Sequence, residues 1–361
     1  MKLLLNFAIL LTVSGWGKTI VNEAELPQSL PPVTFDIVAP VVKETGWSQE
    51  QAAQKVRQFL AAKNSDQEKI EVMTWWAQRA ERSDFLFDLA ARCAKASQRD
   101  AAIYWLQRAA REDVCDVADL SVDERFIDLK KDKRWTPLLE FLRACEARWL
   151  ETSFYRDVLT LPERYDGKSE IPLVIGLHGY GSVPEDFTGA DFQKICNEQN
   201  IAFLGVSGRR PLGRHAFMWT ESFEKDREHV ENAIMRSHQH LKIASKRMLV
   251  IGFSQGGQLA VELAAFQPQQ YRGCLSMSPG SRYASGLIER LRSQTSLVGQ
   301  RYFFTWIQGE GSGPSERVQA WRPALEQKQA IVHEYAFPGK GHEWPRNYED
   351  YFAITLQVLL R

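Results

Sequence analysis

Leu249-Val250-Ile251-Gly252-Phe253-Ser254-Gln255-Gly256-Gly257-Gln258-Leu259-Ala260 carries the most informative signal in this 361-residue chain. An apolar run passes through G-x-S-x-G into a stretch with helical spacing. A backbone that turns this sharply from strand to helix leaves no room for Cβ atoms beside the serine, which accounts for the glycines. The strained turn lifts Ser254 Oγ clear of the main chain and sets it near a helix N-terminus. Ser254 is the candidate nucleophile.

Upstream, Ile175-Gly176-Leu177-His178-Gly179-Tyr180-Gly181-Ser182 ends another apolar run in a glycine-rich loop. A tetrahedral oxyanion needs two preorganised N–H donors. The Tyr180 amide on this loop and the Gln255 amide directly after the serine are the candidates for the oxyanion hole. His178, inside the loop, is expected to be structural. Downstream, Phe337-Pro338-Gly339-Lys340-Gly341-His342-Glu343-Trp344-Pro345 places a histidine on a glycine-rich loop after the last apolar run, 88 residues beyond the serine. His342 is the candidate general base.

Around these motifs the residues from 150 to 361 alternate short apolar runs with amphipathic stretches. The runs are Phe154–Leu161, Pro172–Leu177, Ile201–Val206, Met248–Gly252, Gly273–Met277, Tyr302–Ile307 and Val332–Phe337. Glu224–Leu241 reads as a helix with Val230, Ala233 and Ile234 on one stripe. The alternation predicts an α/β domain with a mostly parallel central sheet.

Residues 47–148 read instead as a small all-α domain. Ser48 and Gln51 form a capping-box start, and Ile70, Met73, Trp76 and Ala77 mark a second helix. Phe85–Ala94 and Ala101–Ala110, joined by the polar turn Ser97–Asp100, predict a helical hairpin whose small residues permit close packing. The pair resembles a tetratricopeptide-type repeat, with Asp123–Leu142 as its closing tail. That likeness implies a possible protein partner for the helical domain; the alternative is a helical domain that only packs on its neighbour. Residues 18–46, with Pro27, Pro31, Pro32 and Pro40, read as a linker. Residues 1–17 have one charge, an apolar run and then small residues, the layout of a signal peptide, so the protein is expected to be exported to the periplasm or the cell exterior. The apolar run is too short to span a bilayer, which needs about 20 residues, and no integral membrane segment is expected.

Composition narrows the function further. Lys+Arg and Asp+Glu both number 45, a zero net charge without the basic surplus of a nucleic-acid partner. Hydrophobic residues at 44% and charged residues at 25% exclude wholesale disorder. The five cysteines contain no C-x-x-C pair, so neither a zinc site nor a disulfide framework is indicated.

Together the 177–182 loop, Gly252–Gly257 and Gly341–Pro345 give residues 150–361 a resemblance to the α/β-hydrolases, nearest to phospholipase/carboxylesterase and polyhydroxyalkanoate-depolymerase-like esterases. The resemblance implies an α/β-hydrolase fold, an esterase with no metal or cofactor, and a small or polymeric ester substrate. It also implies that Ala216-Phe217-Met218-Trp219 borders the acyl pocket, so Met218 and Trp219 are expected to contact substrate. One departure concerns the acid. The family places an Asp three residues after a glycine that ends a strand; here Gly309 is followed by Glu310, Gly311 and Ser312. Glu310 is the expected acid, ahead of Glu316, with a water, the Ser312 hydroxyl or no acid at all as alternatives. The expected function is therefore a serine esterase working through an acyl-enzyme. A catalytically weak or inactive hydrolase scaffold with a partner-binding helical domain is the competing reading.

Overall fold

The computed structural model describes residues 26–31, 49–62, 64–79, 85–112, 115–152, 156–213, 216–220, 222–281, 285–294, 296–344 and 348–360. The predicted signal peptide, most of the predicted linker and Ser48 of the predicted capping box lie outside them. The chain divides into two compact units. One holds the residues up to Arg108 together with Val117–Ala144, and the other holds Ala109–Asp116 together with Cys145 onward.

The first unit is helical. Its helices are α1 (Gln49–Ala61), α2 (Asp66–Ala77), α3 (Leu86–Lys95), α4 (Arg99–Glu112), α5 (Val117–Val122) and α6 (Trp135–Thr152), of which α4 and α6 run on into the second unit. Helix α2 starts at a capping box: Ser65 Oγ accepts from the Glu68 amide at 3.2 Å, and the Glu68 carboxylate accepts from the Ser65 amide at 2.7 Å. The predicted hairpin is α3 and α4. Leu89, Ala90 and Cys93 of the first and Ala102, Ile103, Trp105 and Leu106 of the second are all fully buried. Between them Ser97 takes a left-handed φ of 61°, and the Gln98 amide closes on Cys93 O at 2.8 Å. Two departures from the sequence reading stand out. Leu26 is buried and Pro27 O accepts a hydrogen bond from the Gln107 side chain at 3.0 Å, so this part of the predicted linker is packed on the helices. The predicted boundary at 148–150 falls inside α6, which continues to Thr152.

The second unit is an α/β domain built on a mostly parallel sheet. Its strands are β1 (Asp157–Thr160), β2 (Glu170–Leu177), β3 (Ala202–Val206), β4 (Arg210–Gly213), β5 (Ala216–Met218), β6 (Lys242–Phe253), β7 (Tyr271–Met277), β8 (Arg301–Gly309) and β9 (Ile331–Lys340). Seven of them form one sheet in the order β1-β3-β2-β6-β7-β8-β9, and β4 and β5 make a separate hairpin. Only β1 is antiparallel to its neighbour in the large sheet. The helices are α7 (Ala190–Gln199), α8 (Phe223–Ser237), α9 (Gln255–Phe266), α10 (Leu287–Leu291), α11 (Gly313–Gln327) and α12 (Tyr348–Leu360). Helix α8 stops at Ser237, short of the predicted Leu241, and the long strand β6 begins five residues later.

Both faces of the central strands are covered, which is why they read as unbroken apolar runs. Leu173, Ile175 and Leu177 of β2 share one cluster with α8, α9 and α11, through Val230, Leu263 and Trp321 among others. Val174 and the β6 residues Leu249 and Ile251 face the other way, against Phe192 and Ile195 of α7 and Phe352 and Leu356 of α12. Burial of each such side chain stabilises the fold by about 1.5–3 kcal/mol. The six parallel strands all project their C-terminal ends toward one rim, where ligands bind in open α/β sheets. Among the described residues no helix is long and apolar enough to cross a membrane.

Candidate active site

Ser254 sits between β6 and α9 with φ 54° and ψ −117°. That is a strained conformation for a residue with a side chain, costing on the order of 1–3 kcal/mol. The surroundings hold it there. The Ser254 amide donates to Met277 O at 2.9 Å, and the Gly280 amide donates to Ser254 O at 3.0 Å. The flanking glycines are sterically required: a Cβ on Gly252 would lie 2.2 Å from Gly256 O, and one on Gly256 would lie 2.1 Å from Leu177 O.

His342 follows β9, and its Nε2 lies 2.8 Å from Ser254 Oγ. Its Nδ1 lies 2.9 Å from Glu310 Oε2. An ionised carboxylate only accepts, so Nδ1 carries the proton and Nε2 is left to accept from the serine hydroxyl. The Glu310 side chain is fully buried while that of His342 is 45% exposed. The other carboxylate oxygen, Oε1, accepts from Ser278 Oγ at 2.9 Å and from the Ile307 amide at 3.0 Å. Glu310, of the acids considered, is therefore the partner of His342. Glu316 lies in the first turn of α11, a helix that starts at Gly313 with Ser312 at its cap. Glu310 follows directly on Gly309 at the end of β8, and its side chain spans the distance to the loop after β9.

Gln255 opens α9, where the first amides of a helix have no partner within it. Tyr180 lines the cleft that holds Ser254, from the loop after β2, whereas Gln255 is buried and is not among the residues lining that cleft. That loop is close to the serine, since a Cβ on Gly179 would be 3.4 Å from Ser254 Cβ. His178 is buried, and burial lowers its pKa to about 4. The Gly208 amide donates to its Nε2 at 2.7 Å, so Nδ1 carries the proton and donates to Gly179 O at 2.7 Å. The imidazole thus shapes the loop as a neutral spacer, in keeping with the structural role expected of it.

Met218 and Trp219 depart from expectation. Each is only 1% exposed, and neither lines the cleft that contains Ser254. Trp219 serves as a brace. Its Nε1–H donates to His178 O at 2.9 Å. The Gln255 side chain clamps its backbone, accepting from the Trp219 amide at 3.0 Å and donating to Trp219 O at 2.9 Å. The neighbouring Thr220 is fixed by Asp226, which accepts from its amide at 2.8 Å and its hydroxyl at 3.0 Å. Burial raises the Asp226 pKa to about 7. Neither Asp226 nor Ser278 emerges from the sequence. The only mark of Asp226 is a carboxylate on the helix stripe of Val230 and Ala233, and that of Ser278 is its place just after β7.

The cleft above Ser254 has a volume of about 580 Å³. Its walls include Tyr180, Phe253, Trp344 and Tyr348, with Ser182, Asp186 and Glu343 supplying polar groups. Phe253 stacks on Trp344 at 5.6 Å, and its ring is 4.9 Å from that of His342. Among the described residues that line the cleft there are two carboxylates and no Lys or Arg.

Residues 165–295 match the phospholipase/carboxylesterase family. A probable feruloyl esterase C from Aspergillus clavatus is 26% identical over 132 residues, which is 34% of this chain and 45% of the relative. The chain thus matches under half of that relative's length. Among solved structures, a Bacillus cereus carboxylesterase aligns with a TM-score of 0.45 at 14% identity, over 59% of this chain and 99% of that one. A ferulic acid esterase from Anaeromyces mucronatus, solved with ferulic acid, gives 0.44 at 14% identity, over 58% and 94%.

Proposed function

We propose that the protein is a serine esterase. The observation that carries this reading is the continuous chain Ser254–His342–Glu310, with contacts of 2.8 and 2.9 Å, built on a strained strand-to-helix turn. In the proposed cycle Ser254 Oγ attacks the ester carbonyl while His342 Nε2 takes its proton. Glu310 holds the Nδ1 proton and stabilises the imidazolium. The Tyr180 and Gln255 amides receive the oxyanion as it develops. The imidazolium then protonates the departing alcohol, and a water activated by the same histidine releases the acid.

The cleft favours esters that carry a neutral ring. Four aromatic side chains give flat apolar contact, and the Asp186 and Glu343 carboxylates accept from hydroxyls while repelling anions. The partial match to a probable feruloyl esterase agrees with an aromatic acyl group as one such ring.

A fluorophosphonate probe tests the mechanism whatever the natural substrate. The expected result is a single covalent adduct on Ser254, mapped by mass spectrometry, together with hydrolysis of p-nitrophenyl acetate. Both are expected to vanish in Ser254→Ala, and hydrolysis in His342→Ala. A wild-type protein that is folded, unlabelled and inert toward esters would refute the proposal.

A further inference from the structure

We infer that Ser278 is a positioning residue for the hydrolysis proposed above, on which this inference rests: its hydroxyl fixes the Glu310 carboxylate so that one oxygen faces His342. Ser278 follows β7 and is 1% exposed. Its backbone is anchored to the neighbouring strand, the amide donating to Thr305 O at 2.6 Å. From that anchor its hydroxyl donates to Glu310 Oε1 at 2.9 Å, and the Ile307 amide donates to the same oxygen at 3.0 Å. Oε2 is thereby left for His342 Nδ1 at 2.9 Å.

This second donor answers a specific problem. A glutamate has one more rotatable bond than an aspartate, so its carboxylate plane is less well defined by its own backbone. Glu310 stands two residues before the position where related enzymes carry the shorter acid. It is also buried, where an ionised carboxylate is costly unless its lone pairs are used. Two donors converging on Oε1 settle both matters: they fix the terminal torsion and use the lone pairs of that oxygen. The backbone donor is supplied by the strand itself, so Ser278 is the part that substitution can remove.

The conformation of Ser278 makes the test selective. Its φ of 45° lies in the left-handed region, where glycine is at ease and an L side chain is not. Ser278→Gly therefore removes the hydroxyl without straining the fold. The expected result is a melting temperature close to that of wild type, relief at the positive φ offsetting the lost hydrogen bond, with an unchanged KM and a kcat lowered about 10–100-fold, the worth of one hydrogen bond to a charged group. Nitrogen NMR of the His342 ring is expected to show a smaller population protonated at Nδ1, because the Glu310 carboxylate is no longer held with Oε2 toward it. Ser278→Ala is expected to share these kinetics while melting lower, because it keeps a Cβ at positive φ. A Ser278→Gly enzyme with kcat within about twofold of wild type and the same His342 ring spectrum overturns the inference. So does one whose activity falls only as its stability falls. If the wild type takes no phosphonate label at Ser254, the esterase reading itself fails and this inference with it; labelled wild type with an indifferent Ser278→Gly defeats the inference alone.

Discussion

Replacing Glu310 by glutamine changes one atom and no volume, and the structure specifies what that atom does. The Ile307 amide is only a donor, and it points at Oε1 from 3.0 Å. The glutamine oxygen must therefore occupy the Oε1 position, which turns its NH₂ toward His342 Nδ1. An NH₂ donating to Nδ1 forces the imidazole proton onto Nε2, directed at Ser254 Oγ, and a protonated Nε2 cannot act as base. The flipped amide would restore the tautomer but bury the Ile307 amide against a second donor, at about 1–3 kcal/mol. That penalty holds the competent arrangement to roughly one part in 10–100. Loss of the negative charge beside the imidazolium removes a further factor of about 10–100. Glu310→Gln is thus expected to lower kcat about 10³-fold, near 4 kcal/mol in the barrier, with KM unchanged. The corresponding change in a serine protease costs about 10⁴. Steady-state hydrolysis of p-nitrophenyl acetate measures the loss, and nitrogen NMR of the His342 ring reads the tautomer. A kcat within tenfold of wild type, or a ring still protonated at Nδ1, would refute the reasoning.

Asp226 predicts a pH dependence of stability. Its pKa is raised to about 7 in the fold, so between about pH 4 and 7 the folded state binds the proton that the unfolded chain releases, and stability falls as pH rises through that window by up to about 4 kcal/mol. Asp226→Asn is expected to remove this slope and to melt higher than wild type at pH 8. Burial of His178, with its pKa lowered to about 4, gives the opposite slope, with stability lost as pH falls from about 6.5 to 4, so the comparison is variant against wild type. Asp186 and Glu343 predict that a p-nitrophenyl hemisuccinate is hydrolysed with a kcat/KM about fivefold below that of the butyrate; the gap narrows at high salt and in the Asp186→Asn/Glu343→Gln double variant. A fragment beginning at residue 150 cuts α6 and lacks Ala109–Asp116, whose Ala110 O accepts from Trp149 Nε1 at 2.8 Å and whose Asp116 carboxylate accepts from Tyr180 OH at 3.3 Å. It is expected to melt below the full chain in calorimetry, and an equal melting temperature would show that these contacts are dispensable.

What the sequence determined by itself is what a short window encodes. β2, β3, β7 and β8 appear within two residues of their predicted places, because a strand buried on both faces must be apolar throughout. The turn at Ser254 was legible for a similar reason, since Gly252 and Gly256 are dictated by atoms one turn away or on the adjoining strand. The tertiary structure decided whatever depends on side-chain reach between distant segments. A linear reading ranks Glu310 ahead of Glu316 without showing that either meets His342. Only the placement of β8 beside β9 puts the first within 2.9 Å of a histidine 32 residues later. Ser278 is likewise an ordinary serine until β7 and β8 pair and aim its hydroxyl at Glu310. Met218 and Trp219 show the converse. Their sequence position suggests a substrate wall, but the clamp from Gln255 turns the segment inward, and the two side chains are buried as scaffold. A local pattern constrains the backbone it belongs to. Which groups meet across the fold is set by the packing of whole elements, and the chemistry of this site lies in those meetings.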